Sequence, residues 1–273
     1  MAPAPKASIL PVGMTSAPAR GASNRSARPA FAEVLPNGWG DFLRQVSIWL
    51  GFVVGYQVAR RLAHGGSSEA LRNGRRLIRF EEQLGGLVEL DVQRLALEGG
   101  SVLVHAVNWT YWLSQFAVVT AVLLGIYLWR NEAYLQLRNT IIIVNTLGLV
   151  GYVALPTAPP RLFPEHGFVD TLADVGVLGH GSALVELVSN PYAAMPSLHA
   201  ADALIVGVAL AALVRQRALK VLFLLWPLWV WFSLIASANH FWVDIAAGVV
   251  LAAVGSVATA VLMGRRRLLR RQR

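Results

Sequence analysis

The chain has 273 residues, of which 55% are hydrophobic and 14% are charged, and it carries a formal net charge of +9. The apolar residues lie in blocks close to the ~20 residues that a helix needs to cross a bilayer, which excludes an ordinary soluble domain. A basic chain can bind nucleic acid, but no zinc pattern, RNA-binding signature or aromatic platform accompanies this charge. We therefore predict a membrane protein without a nucleic-acid partner. Cysteine is absent, which excludes disulfides and thiol chemistry.

The composition divides the chain into three segments. Residues 1–37 are rich in Ala, Pro, Ser and Arg and have neither a sustained apolar run nor the apolar core of a signal peptide, so we expect a disordered tail. Residues 38–264 contain the apolar blocks and form the predicted membrane domain. Residues 265–273 form a basic tail of the kind that follows a span on the cytoplasmic side.

Six apolar blocks predict an all-α protein that crosses the membrane several times as a six-helix bundle. The predicted spans cover residues 42–62, 109–129, 139–157, 197–214, 218–236 and 241–263, all approximate. Residues 66–100 are different, because apolar side chains recur there at three- and four-residue steps among Arg and Glu, which predicts one amphipathic helix. Such a helix lies in the headgroup plane or packs on the bundle, and we favour the headgroup plane.

The positions of Lys and Arg predict the orientation of the bundle in the cytoplasmic membrane. Cations before the first span, between the second and third, between the fourth and fifth, and after the sixth place both termini in the cytoplasm. Residues 60–100 are an exception, since this topology places them outside although they are rich in arginine. The topology also places the starts of the fourth and sixth spans at the same extracytoplasmic surface.

Two polar clusters stand at those starts. Residues 196–200 read PSLHA and residues 239–244 read NHFWVD. Ionisable side chains are costly beside a bilayer core, so a functional role is the default hypothesis. His240 and Asp244 are four residues apart and share one face of a helix. This spacing lets a carboxylate hold an imidazole in one tautomer while the other ring nitrogen attacks a substrate.

A phosphate ester is the substrate group that suits these clusters. A helix N-terminus offers unpaired N–H groups and the positive end of the helix dipole, and Ser197 adds a hydroxyl donor. His240, oriented by Asp244, would attack phosphorus and form a phosphohistidine. His199 would donate a proton to the departing oxygen, then deprotonate the water or alcohol that resolves the intermediate.

A cation is also needed for the phosphoryl oxygens. Arg138 lies at the cytoplasmic end of the third predicted span, roughly 30 Å from the site at 1.5 Å per helical residue. Arg161 follows the outer end of that span, after Pro159 and Pro160, which stiffen the chain. We therefore predict Arg161 as the phosphate-binding cation. The alternative for Arg161 is an interfacial arginine that reaches lipid headgroups.

PSLHA, followed by Asn-His-Phe-x-x-Asp and preceded by Ala-Pro-Pro-Arg, resembles the type 2 phosphatidic acid phosphatase superfamily, most closely the branch of inositol phosphorylceramide synthase and its bacterial relatives. The resemblance covers about residues 138–250. It implies six membrane helices and phosphohistidine chemistry without a metal or cofactor. It also implies that His240 is the nucleophile, Asp244 its orienting acid and His199 the second histidine. The usual Lys-x6-Arg-Pro motif and the Ser-Arg pair ahead of the nucleophile are missing.

We therefore expect a membrane enzyme that acts on a lipid phosphate from the extracytoplasmic face, with water or a hydroxylated acceptor resolving the intermediate. These residues serve hydrolysis and transfer equally. Asp202 matches no motif and would either tune His199 or form a hydrogen bond within the bundle. Two alternatives are a zinc site built from two histidines and two carboxylates and a non-catalytic transporter or scaffold that keeps the fold. Against a transporter, no predicted span is broken by an internal Gly-Pro pair.

Overall fold

The computed structural model describes residues 35–62, 66–173 and 190–271, with side chains up to Arg265. Residues 1–34 of the predicted N-terminal tail lie outside the described residues. Most side chains of the basic tail at residues 265–273 lie outside them as well.

Within the described residues the protein is helical and has no strand. The helices are α1 (Gly38–Leu62), α2 (Ser67–Gln83), α3 (Val88–Glu98), α4 (Ser101–Ser114), α5 (Ala117–Trp129), α6 (Asn131–Ala154), α7 (Leu198–Leu213), α8 (Arg217–Ala236) and α9 (Trp242–Arg271). Two short 3-10 turns, Pro160–Leu162 and Pro164–His166, follow α6. The predicted all-α class is confirmed.

Three helices, α6, α8 and α9, are long and apolar enough to cross a membrane. Helices α4 and α5 reach this standard as a pair bent by 56°, which raises the number to four. Helix α7 is apolar but has only 16 residues, and α1 is not among the candidates. Length and composition in the described part of the chain therefore give a membrane protein with three or four candidate spans, fewer than the six predicted.

The single amphipathic helix predicted over residues 66–100 is wrong in one respect, because α2 and α3 are separate helices. Gly85 and Gly86 lie between them with φ angles of +127° and +118°, which side chains with a Cβ rarely adopt. Both helices pack on the bundle, the placement that we did not favour. Ala70 and Ile78 of α2 contact Phe163, and Gln93 of α3 donates to the Ala236 carbonyl at the end of α8.

The largest apolar core lies among α1, α5, α6 and α7. Its fully buried members include Tyr56, Val119, Ile141, Val144 and Leu198. Helix α7 packs against α8 and α9, and α9 packs against α6. This packing positions the segment before α7, since a Cβ on Gly151 of α6 would lie 2.5 Å from the Pro196 ring. Small residues let helices approach closely inside membranes, and here Gly151 brings α6 against the start of α7.

Candidate active site

The start of α7 positions His199. Ser197 is the N-cap of the helix, and its hydroxyl oxygen accepts a hydrogen bond from the Ala200 N–H at 3.3 Å, as capping serines do. His199 in the first turn is 9% exposed. The Tyr111 ring of α4 stacks on the imidazole with 4.8 Å between centroids. The helix cap and the tyrosine together fix the His199 ring.

The turn between α8 and α9 positions His240. The Ala238 N–H donates to the Ile235 carbonyl and the Asn239 N–H to the Leu234 carbonyl, which is the pattern of a Schellman motif. Ala238 has a φ of +53°, a conformation that costs roughly 1–2 kcal/mol for a residue with a Cβ. This reversal brings His240 directly after the end of α8.

His240 lies two residues before α9 and faces Asp244 in the first turn of that helix. The His240 Nδ1 lies 3.5 Å from the Asp244 Oδ2, an ion-pair distance longer than a normal hydrogen bond. The same carboxylate oxygen accepts the Phe241 N–H at 2.9 Å. Both side chains are buried. The carboxylate therefore faces one nitrogen of the imidazole and leaves Nε2 for chemistry.

The fold brings the two polar clusters together. The His199 and His240 rings lie 5.9 Å apart between centroids at an angle of 58°. A backbone hydrogen bond of 3.0 Å runs from the Ser197 N–H to the Asp244 carbonyl. The two helix starts are thus joined directly by the main chain, and both histidines face one site.

Arg161 lies beside the second cluster. Its backbone N–H donates to the Ala238 carbonyl at 2.9 Å, and its Nη1 donates to the Asn239 side chain at 3.1 Å. The Nε lies 3.7 Å from an Asp170 carboxylate oxygen, and the Arg161 side chain is only 9% exposed. A buried arginine held next to His240 suits the site better than it suits a lipid-facing position.

The remaining sequence candidates lie as follows. Ser197 is fully buried, and its hydroxyl oxygen accepts the capping hydrogen bond. Its hydroxyl proton is still available for donation to a ligand. Asp202 accepts two hydrogen bonds from the Asn145 side chain, at 2.9 and 3.1 Å. Asp202 therefore bonds within the bundle. Arg138 donates to Gln45 near the start of α6, away from the histidines.

Two glutamates at the site were not predicted. The Glu89 carboxylate of α3 accepts the Trp242 N–H at 2.7 Å, and the Glu81 carboxylate of α2 accepts the Val243 N–H at 3.4 Å. Both are fully buried. They satisfy the free N–H groups at the start of α9, as acidic caps do. The available signal was that Glu81 and Glu89 fall on the apolar faces of their helices.

Burial raises the pKa of the Glu81 and Glu89 carboxyls, and at Glu81 the charge of Glu89 raises it further. Two carboxyl groups that close cannot both ionise easily, so we expect the pair to keep one proton near neutral pH.

A metal centre finds no ligand set in the described residues, because nowhere among them do three or more His, Asp or Glu side chains form a group that could hold an ion. The zinc alternative would need ligands from outside the described ranges.

Comparisons with known proteins identify the family of the chain. The family model of the PAP2 superfamily matches residues 75–258, which include Arg161, His199, His240 and Asp244. Over 154 residues the chain is 29% identical to phosphoinositol dihydroceramide synthase of Bacteroides thetaiotaomicron. That match covers 50% of this chain and 50% of the relative, so the chain matches about half the length of this curated relative.

Among solved structures, LpxE of Aquifex aeolicus has 16% identity to the chain and a TM-score of 0.47. The superposition covers 63% of this chain and 93% of LpxE. The family match extends from α2 into α9 and includes both histidine clusters. The chain belongs to the PAP2 superfamily of phosphatases and phosphotransferases.

Proposed function

We propose that the protein is an integral membrane lipid-phosphate phosphatase or phosphotransferase that works through a phosphohistidine. The observation that carries this proposal is the pair of imidazoles, 5.9 Å apart between centroids, with the buried Asp244 carboxylate behind His240. A nucleophile oriented by an acid, with a second proton carrier beside it, is the arrangement that covalent phosphoryl transfer requires.

In the proposed first step the His240 Nε2 attacks phosphorus, the bond to the leaving oxygen breaks, and His199 gives that oxygen its proton. Asp244 stabilises the positive charge that develops on the His240 ring. In the second step His199 takes a proton from water or from a hydroxylated acceptor, whose oxygen attacks the phosphohistidine and frees His240. Arg161, the N-terminus of α7 and the Ser197 hydroxyl bind the other phosphoryl oxygens. This scheme uses no metal and no cofactor.

The topology that suits this chemistry has six spans, formed by α1, the bent pair of α4 and α5, α6, α7, α8 and α9. Both termini lie in the cytoplasm and the site faces the extracytoplasmic side of the cytoplasmic membrane. The distribution of Lys and Arg supports this orientation. A lipid would then enter from the bilayer while water or the acceptor arrives from the aqueous side. The similarity to a phosphoinositol dihydroceramide synthase supports transfer to an acceptor, while the same residues also serve hydrolysis.

The test is phosphate release from a panel of lipid phosphates by detergent-purified protein in EDTA, with His240→Ala as the control. We expect release by the wild-type protein and none by the variant. If the folded protein releases nothing, labelled substrate should still leave label on His240 when an acceptor is lacking. Absence of both release and label would reject the enzyme in favour of a scaffold, and loss of release in EDTA alone would reject the metal-free mechanism.

A further inference from the structure

Arg60 in the last turn of α1 is a half-buried cation whose position needs an explanation. Its Nε is buried and has no hydrogen-bond partner among the described residues, and the ion pairs found there do not include it. Its carbonyl accepts a hydrogen bond of 3.1 Å from the side chain of Asn190, in the segment that leads to α7. Arg61, the next residue, is exposed. Leaving a charged donor buried and unpaired is costly, so a partner is expected.

The surroundings of Arg60 are those of the candidate active site. Its charge interacts with the hydroxyls of Tyr56, Tyr111 and Tyr152, and Tyr111 is the ring that stacks on His199. Arg60 is also close enough to interact electrostatically with His199 and with Arg161. The described residues therefore bring two guanidinium groups and an imidazole to one buried region.

Two guanidinium groups in one such region are unfavourable without an anion between them, because like charges repel and burial removes their hydration. Burial lowers the pKa of Arg161, and the charge of Arg60 contributes to that lowering. Asp170 already offsets part of the Arg161 charge. A phosphate group would offset the Arg60 charge and accept its unpaired Nε–H, since guanidinium groups match phosphate oxygens in geometry and charge.

The sequence lacks the two basic motifs that commonly accompany the two histidine clusters, so cations for the phosphoryl group must come from elsewhere. Arg60 lies outside residues 75–258, the part of the chain that matches the family model. We propose that Arg60, supplied by α1, binds the phosphate group of the substrate together with Arg161. This inference rests on the proposed function, and it assigns α1 to the site.

The test compares Arg60→Gln, Arg60→Lys and the control Arg61→Gln in full-length protein. Arg61→Gln removes the same charge from the same turn at an exposed position. The measurements are the inhibition constant of orthovanadate and the KM and kcat for a lipid phosphate. We expect Arg60→Gln to weaken vanadate inhibition and raise KM by about tenfold or more, as loss of a charge-assisted hydrogen bond does. In Arg61→Gln, the vanadate inhibition constant and the KM should both stay within about twofold of the wild-type values.

The outcomes separate this inference from the proposed function. An active wild-type protein with an unchanged vanadate constant in Arg60→Gln would overturn the role of Arg60 alone. A wild-type protein that neither releases phosphate nor binds vanadate in calorimetry would overturn both. If Arg60→Gln does not fold, Arg60→Lys decides, because it keeps the charge but lacks the Nε–H. An unchanged vanadate constant in Arg60→Lys would then overturn the proposal, and a loss of about threefold or more would support it.

Discussion

At the scale of single residues, Asp244 offers the sharpest test of the proposed mechanism. Asp244→Asn keeps the size of the side chain and an acceptor for the Phe241 N–H, but it removes the charge that faces the His240 ring. By analogy with mis-oriented imidazoles in hydrolases, turnover should fall by about 10³- to 10⁴-fold. The measurement is phosphate release at saturating substrate.

Asp202→Asn is the matched control for this substitution, because Asp202 is also buried but bonds to Asn145. It should lower turnover by less than about tenfold, since substitutions away from the reacting groups affect mainly stability. Equal losses in the two variants would mean that Asp244 acts through folding and not through His240.

The sequence could predict the residues whose chemistry is local. His240 and Asp244 are four residues apart, and His199 follows a proline and a serine that start a helix, so each cluster is visible in the local sequence, while the predicted topology brought the two clusters together. The partners of Glu81 and Glu89 could not be predicted, because their position on an apolar helix face indicates burial but not which distant N–H groups they accept from. The Glu89 bond to the Trp242 N–H, for example, joins α3 to α9.

At the scale of elements, the two capping glutamates give α9 a pH-dependent anchor. Their pKa is raised by burial above the ordinary value of 4.5. A group that binds its proton more tightly in the folded state loses stabilisation as the pH rises towards its raised pKa, which is about 9 for Glu81. The folded protein should therefore lose stability between the ordinary and the raised pKa.

Glu81→Gln should weaken that dependence, because glutamine stays neutral while its carbonyl still accepts the Val243 N–H. The measurement is the Tm from thermal unfolding in detergent at pH 5.5 and at pH 8.5. We expect the Tm of the variant to fall less between these two pH values than the Tm of the wild-type protein. Each kcal/mol of unfolding free energy that the variant retains corresponds to about 2–4 °C in Tm for a chain of this size. Glu82→Gln, at an exposed neighbouring position, should keep the wild-type dependence. Parallel curves for Glu81→Gln and wild type would contradict the role of this pair.

The starts and ends of the apolar helices show which elements the sequence could predict. The fourth to sixth predicted spans start at 197, 218 and 241, and the helices begin at Leu198, Arg217 and Trp242. The third was predicted from residue 139, whereas α6 begins at Asn131, because Asn131, Glu132, Gln136 and Arg138 interrupt the apolar run in its first two turns. The bend between α4 and α5 was missed because only Ser114 and Gln115 interrupt the apolar residues there.

At the scale of the whole molecule, the proposed orientation can be measured directly because the chain has no cysteine. A single cysteine at the exposed Glu165 should react with a membrane-impermeant maleimide in intact cells. A cysteine at the exposed Gln216, in the turn between α7 and α8, should react only after permeabilisation. The opposite labelling pattern would reverse the orientation and place the histidines on the cytoplasmic side.

The main-chain bond between Ser197 and Asp244 has a consequence for how such a protein can diverge. Because no side chain takes part in it, sequence drift can replace the residues around the two histidines without altering the spacing between their helix starts. Helices α2 and α3 reach the start of α9 through the side chains of Glu81 and Glu89 instead, so drift in those helices can alter the site more easily. A library randomised over α2 and α3 that keeps Glu81 and Glu89 should therefore retain phosphate release more often than a library in which those two residues also vary.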